Sequence, residues 1–108
     1  MNRQQQIDSF LRDAHLLALS RLRERPARVQ EVQAQLGRWR LLASQAGSTR
    51  SDPYWDQWEA LLDAPVETLA QAVCADTDAA SALRNVSPMS VLITQRERTT
   101  LLKKARAL

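Results

Sequence analysis

The sequence predicts an all-α fold, a small helical bundle in which a long antiparallel N-terminal helix pair is followed by several short helices. Three observations carry that prediction. Only two glycines, Gly37 and Gly47, occur in 108 residues, β-branched runs are nearly absent, and apolar residues recur at spacings of three and four. The apolar fraction of 44% and the charged fraction of 25% are those of an ordinary globular chain, and one helical domain over residues 1–108 is expected. The loop at Gly47–Ser51 offers an alternative division into a 1–47 hairpin and a 52–108 cluster of short helices.

The first helix is expected from about Arg3 to Arg25, with Ile7, Phe10, Ala14 and Leu17 on one face and Leu11, Ala18 and Leu22 beside it. Leu16 and Leu19 add apolar surface on another side. A helix that is apolar on more than one side is central in a bundle or covered by a second chain. A homodimer through the first two helices is therefore an expectation, with Leu19→Glu dissociating it without unfolding the protomer. Pro26 ends that helix or opens the next. Val29, Val32, Leu36, Trp39 and Ala43 then form a seam expected to pack on the first helix, and Gly47 supplies the stop.

Asp52-Pro53 reads as an N-cap followed by proline at the first helical position, opening a third helix with Trp55, Trp58 and Leu62 on one face. Pro65 opens a fourth, from Val66 to about Ala75, and Thr77 or Asp78 caps a fifth that ends near Leu83. Residues 85–93, with Ser87-Pro88, read as an ordered loop or a short extended piece. Thr94-Gln95-Arg96-Glu97 is a capping box, and the last helix is expected from Gln95 to about Ala105, burying Leu101 and Leu102.

Charge falls in blocks. Residues 1–50 carry nine arginines against four acids, a balance of +5. Residues 51–83 have no Lys or Arg and seven acids, and residues 84–108 return to +5. Either the blocks neutralise each other across the fold, or one of them faces a partner of opposite sign. Arginine outnumbers lysine 13 to 2, a bias of GC-rich bacterial coding sequence with no structural weight. The polar start, Met1 to Gln6, lacks a signal-peptide pattern, and no apolar run approaches the roughly 20 residues needed to span a bilayer. A cytoplasmic protein with no membrane association is expected.

Side chains able to do chemistry are few. His15, the only histidine, sits among leucines, and Cys74, the only cysteine, has no neighbour in sequence that would lower its pKa. Neither a phosphate-binding glycine loop, nor zinc spacing, nor a Ser-His-Asp set is present. The sequence thus points away from an enzyme and implies no cofactor or metal. Trp39, Tyr54, Trp55 and Trp58 have the spacing of core packing, although such residues also anchor interfaces.

Residues 69–83 carry Ala70 at a small position in a first helix, Val73 and Leu83 as core anchors, and Ala80 as the packing residue of a second. In this the segment, within about 66–84, resembles a helix-turn-helix. The resemblance implies nucleic-acid binding. It departs from the pattern at Cys74, in the turn, and at Asp76 and Asp78, whose charge opposes phosphate contact. Arg84, Arg96, Arg98, Lys103, Lys104 and Arg106 are the residues expected to meet nucleic acid.

The leading expectation is a non-enzymatic interaction protein, antitoxin-like, an inhibitor or an accessory subunit, that binds another protein through Leu16, Leu19, Asp56, Glu59 and Asp63. The alternative is a small DNA-binding regulator.

Overall fold

The structure is a computed structural model that describes residues 2–108. Six α-helices, with no strand among the described residues, follow in the order α1 (Arg3–Glu24), α2 (Val29–Gln45), α3 (Asp52–Leu62), α4 (Val66–Cys74), α5 (Asp78–Asn85) and α6 (Gln95–Arg106). Short 3-10 turns at Pro26–Arg28 and Met89–Leu92 interrupt the connections.

Local chemistry sets most boundaries. The Asn2 side chain accepts from the Gln5 amide while Gln5 reaches back to the Asn2 amide, a capping box that opens α1. Helix α2 ends where Gly47 adopts φ 73°. The Ser48 amide donates to the Ala43 carbonyl at 2.8 Å and the Gly47 amide to that of Ser44 at 3.0 Å, closing the helix as a Schellman motif. Thr77 caps α5 through the Ala80 amide, and the Thr94–Glu97 box opens α6 as its sequence predicts. One start differs: Asp52 is the first residue of α3, preceded by Ser51, which makes no side-chain cap bond.

The buried cluster contains Leu19 and Leu22 of α1, Val32 and Leu36 of α2, Trp58 and Leu62 of α3, Leu69 and Val73 of α4, Leu83 of α5, and Met89 and Leu92. It crosses the Gly47–Ser51 loop, so residues on both sides of that loop share a core. In α6, Ala105 is buried while Leu101 and Leu102 are half-buried.

The expected seam between the first two helices is not how they pack. Helix α1 lies mainly against α6 and α4, and α2 against α3. The Met89–Leu92 turn packs on both α1 and α2, with Met89 and Leu92 each almost fully buried. It acts as a wedge, and the seam residues Val32 and Leu36 reach the core beside it rather than meeting α1 along its length.

Leu19 is also relocated. Its solvent exposure is 0%, because α4 covers the side of α1 that periodicity left open. It is therefore not available to a partner. Leu16, at 50% exposure, remains on the surface.

Short helices of eight to twelve residues are marginal alone in water, and here their ends are tied by side chains from elsewhere. The Trp58 indole donates to the Leu83 carbonyl at 2.9 Å and the Trp55 indole to the Val86 carbonyl at 3.1 Å. Both indoles donate to carbonyls at the C-terminal end of α5, the Leu83 carbonyl also accepting from the Val86 amide at 3.3 Å. Trp58→Ala is expected to destabilise the domain by about 3 to 5 kcal/mol in chemical denaturation, with Leu19→Glu abolishing the cooperative transition; a Trp58→Ala midpoint matching the wild type would place the indole outside the core.

Candidate functional site

A cleft of about 300 Å³ opens between the first half of α1, the Trp39 side of α2, the 85–93 segment and α6. Phe10, Leu11, Ala14, Trp39, Met89 and Ile93 give it apolar walls, and His15, Arg84, Asn85, Ser87, Ser90 and Arg98 supply polar groups. The combination of a concave apolar wall with a few converging polar groups is the ordinary form of a small-molecule site.

His15 is buried at the base, stacked on Trp58 with ring centroids 6.2 Å apart. Its Nδ1 lies 2.6 Å from the Leu11 carbonyl oxygen and its Nε2 2.7 Å from Ser87 Oγ. A carbonyl only accepts, so Nδ1 carries the proton and Nε2 accepts from the Ser87 hydroxyl. Ser87 Oγ in turn accepts from the Met89 amide at 3.1 Å. Burial, opposed by the Leu11 carbonyl and reinforced by the Arg84 charge, lowers the His15 pKa from 6.5 to about 4.

A serine hydroxyl on a histidine nitrogen has the connectivity of a nucleophile and its base. The electrostatics oppose that use. A general base works best with a pKa near the operating pH, and the far nitrogen of His15 meets a neutral carbonyl, where a carboxylate would stabilise the imidazolium. The group instead pins α1 to the start of the Met89–Leu92 wedge.

Arg84, expected to meet nucleic acid, is buried with 6% exposure. Its Nη1 donates to the Val73 carbonyl at 2.6 Å and to that of Ala75 at 3.0 Å. The guanidinium thus neutralises the C-terminal end of α4, where carbonyls are unpaired and the helix dipole is negative. The helix-turn-helix expectation loses its one cation by this burial. Helix α5 also packs against α1 and α3, and Asp76, just before its Thr77 cap, and Asp78 of its first turn line a depression shared with Asp8, Arg12 and Asp13. The Cys74 thiol, half-buried, has its pKa pushed up by burial against the opposing pull of Arg84, Arg12 and Arg23.

Much of the block charge is paired across the fold. Arg21 forms a forked pair with Glu97 and donates to the Leu92 carbonyl at 2.9 Å. Arg23 pairs with Glu67 at 2.8 Å, and Lys104 with Asp13 at 3.3 Å. Arg40 bridges Asp56 and Glu59, the latter at 3.7 Å. Asp63 accepts from Gln33 at 3.2 Å. The three acids expected to face a partner thus form a row on α3 that α2 already engages, although all three stay exposed.

On α6, Arg96, Lys103 and Arg106 are exposed and make no ion pair among the described residues. Their spacing of seven and three places them on one face. Arg106 lines a shallow depression with Arg3. Arg98 lies apart from that row, its guanidinium 5.3 Å from the centroid of the Phe10 ring.

Apolar surface is concentrated at the far half of α2. No residue of that helix after Leu36 is buried, and Leu41 and Leu42 are 60% and 62% exposed. Trp39 and Trp55, with ring centroids 6.4 Å apart, are half-buried nearby. Sequence periodicity assigned Trp39 to the seam and passed over Leu41 and Leu42. Leu41 falls on the helix face opposite that seam and Leu42 to one side of it, and this departure from the seam was the available signal. The His15–Ser87 contact joins residues 72 positions apart, and no local pattern announces it.

No helix among the described residues is long and apolar enough to cross a membrane, and no group of three or more His, Cys, Asp or Glu among them is placed to hold a metal ion. No family model, no curated protein and no solved structure matches this chain.

His15 has a defined pH signature. Its folded pKa lies below its unfolded value, so the unfolded state binds the extra proton between them. Stability from this group is complete above about pH 6.5 and falls as the pH drops towards 4, by about 3 kcal/mol at most. Glu97, lowered from 4.5 to about 2 mainly by its hydrogen bond from Arg21, gives a second loss below pH 4.5. Denaturation of His15→Phe across pH 2 to 7 is expected to flatten the upper window and leave the lower one; a variant as pH-dependent as wild type between pH 4.5 and 6.5 rejects the assignment.

Proposed function

We propose that this chain is a non-enzymatic binding protein that engages a partner protein through the outer half of α2. The observation that carries the reading is the exposure of adjacent Leu41 and Leu42 on a helical segment none of whose residues is buried. Exposed apolar side chains scattered singly are unremarkable, but a contiguous group marks a contact surface. The half-open Trp39–Trp55 pair lies beside it, and aromatic anchors ringed by polar groups are the usual centre of such surfaces. The Arg40, Asp56 and Glu59 network forms a charged rim next to it. Leu16 lies on α1 and is not needed for this contact, and the partner is met as an accessory subunit or inhibitor meets its target.

Affinity capture with the wild type and with Leu41→Glu/Leu42→Glu tests the reading. Both substitutions are at exposed sites, so the melt should move by no more than a few degrees. A protein retained by the wild type and lost by the double variant is the expected outcome; identical recovery with both removes this face from the function.

A second reading, a nucleic-acid-binding regulator, draws on the unpaired row Arg96, Lys103 and Arg106. Cations on one face release counterions when they meet phosphates, which makes binding steeply salt-dependent. Anisotropy with labelled duplex DNA between low and physiological salt decides it. If the row contacts phosphates, Lys103→Gln/Arg106→Gln lowers the salt slope by about two; absence of binding at low salt rejects the reading.

A further inference from the structure

We infer that the cleft between α1, α2, the 85–93 segment and α6 is a binding site for a small aromatic carboxylate. This goes beyond the proposed protein contact, with which the cleft shares Trp39.

The first observation is charge. The side chains lining the cleft include two arginines and no Asp or Glu. In a chain with twelve acids, a concavity lined by arginine and by no carboxylate favours an anion. Arg84 contributes its charge from below while its Nη1 is held by the Val73 and Ala75 carbonyls. Arg98 differs: it is exposed, has no carboxylate partner among the described residues, and lies over the Phe10 ring. It is free to swing from that ring onto a carboxylate at the mouth, forming the forked pair that guanidinium geometry favours.

The second observation is the wall. Phe10, Trp39, Met89 and Ile93 offer an apolar surface with two aromatic rings, suited to stacking and edge contacts with a ligand ring. The volume, about 300 Å³, stands at the lower end of small-molecule sites. It accommodates a single ring with a short acidic arm and excludes an extended peptide. The polar floor is already occupied, since the Ser87 hydroxyl serves His15 and the Met89 amide. An uncharged polar ligand would have few remaining partners there, so the cation at the rim is the group that selects.

Titration of the isotopically labelled protein with phenylacetate, followed by amide and indole chemical shifts, tests the site. Saturable shifts confined to the Trp39 indole and the amides of residues 10–15, 85–93 and 98 are expected. Phenylacetamide, which keeps the ring and removes the charge, is expected to bind at least about five-fold more weakly, as is phenylacetate to the Arg98→Gln variant, the effect of losing one partly exposed ion pair. Equal binding of acid and amide would overturn the inference, as would shifts that scatter over the surface or fail to saturate. A glycine-rich peptide ending in phenylalanine is expected to bind no more tightly than phenylacetate; tighter binding would reassign the cleft to a chain terminus and overturn the small-molecule assignment.

Discussion

The structure depends on Trp58. Its side chain has no solvent exposure, its ring stacks on His15 of α1, and its indole N–H closes the Leu83 carbonyl near the end of α5. A helix of eight residues has about twice as many unpaired end groups as internal bonds, so it persists only where other elements complete it. One side chain here links α1, α3 and α5, its N–H sharing the Leu83 carbonyl with the Val86 amide. Truncation would therefore leave a cavity and remove one of the two hydrogen bonds to that carbonyl.

Arginine does the corresponding work at other ends. Arg84 closes α4, and Arg21 holds both the Leu92 carbonyl and Glu97, the residue whose carboxylate also caps α6. These bonds are charge-assisted and partly withdrawn from water, which makes them stronger than the surface pairs at Arg23 and Lys104. The block pattern of charge follows from this topology. Arginines of the first block reach acids of the middle block at Arg23–Glu67 and Arg40–Asp56, and the last block at Arg21–Glu97. Segregation along the chain thus becomes pairing in space for part of the charge, and Arg96, Lys103 and Arg106 on α6 are among the cations without an ion pair among the described residues.

Elements fixed by neighbours in sequence were legible; those fixed by distant partners were not. The Thr94–Glu97 box, the stop at Gly47 and the opening at Pro65 depend on four or five residues each, and the structure has them where the sequence places them. The box at Asn2 carries the same kind of local signal and was readable by the same rule. Leu19 was misplaced because a helix apolar on two sides does not say whether its second side meets α4 or another chain. Arg84 was misread for a related reason. An arginine at the end of a predicted helix resembles a surface cation until the carbonyls of Val73 and Ala75 are known to lie beside it. The candidate cleft was the least legible feature, since it joins Phe10, Trp39, Ser87 and Arg98 from four separate elements.

The cleft and the exposed half of α2 have one origin. Periodicity provided both long helices with apolar stripes, and a direct seam would have covered Trp39 and Ala43 with α1. The Met89–Leu92 turn enters between them, held there by His15 through Ser87 and by Arg21 through Leu92. Met89 and Leu92 are almost wholly enclosed there, and burying their apolar surface stabilises the wedge. The consequence is that α2 leaves the core after Leu36. Trp39 becomes the wall of an opening rather than the filling of a seam, and Leu41 and Leu42 extend past the cover of the core. A wedge placed for stability thus creates, in one step, a concave surface and a convex one on the same helix, with Trp39 at their common edge.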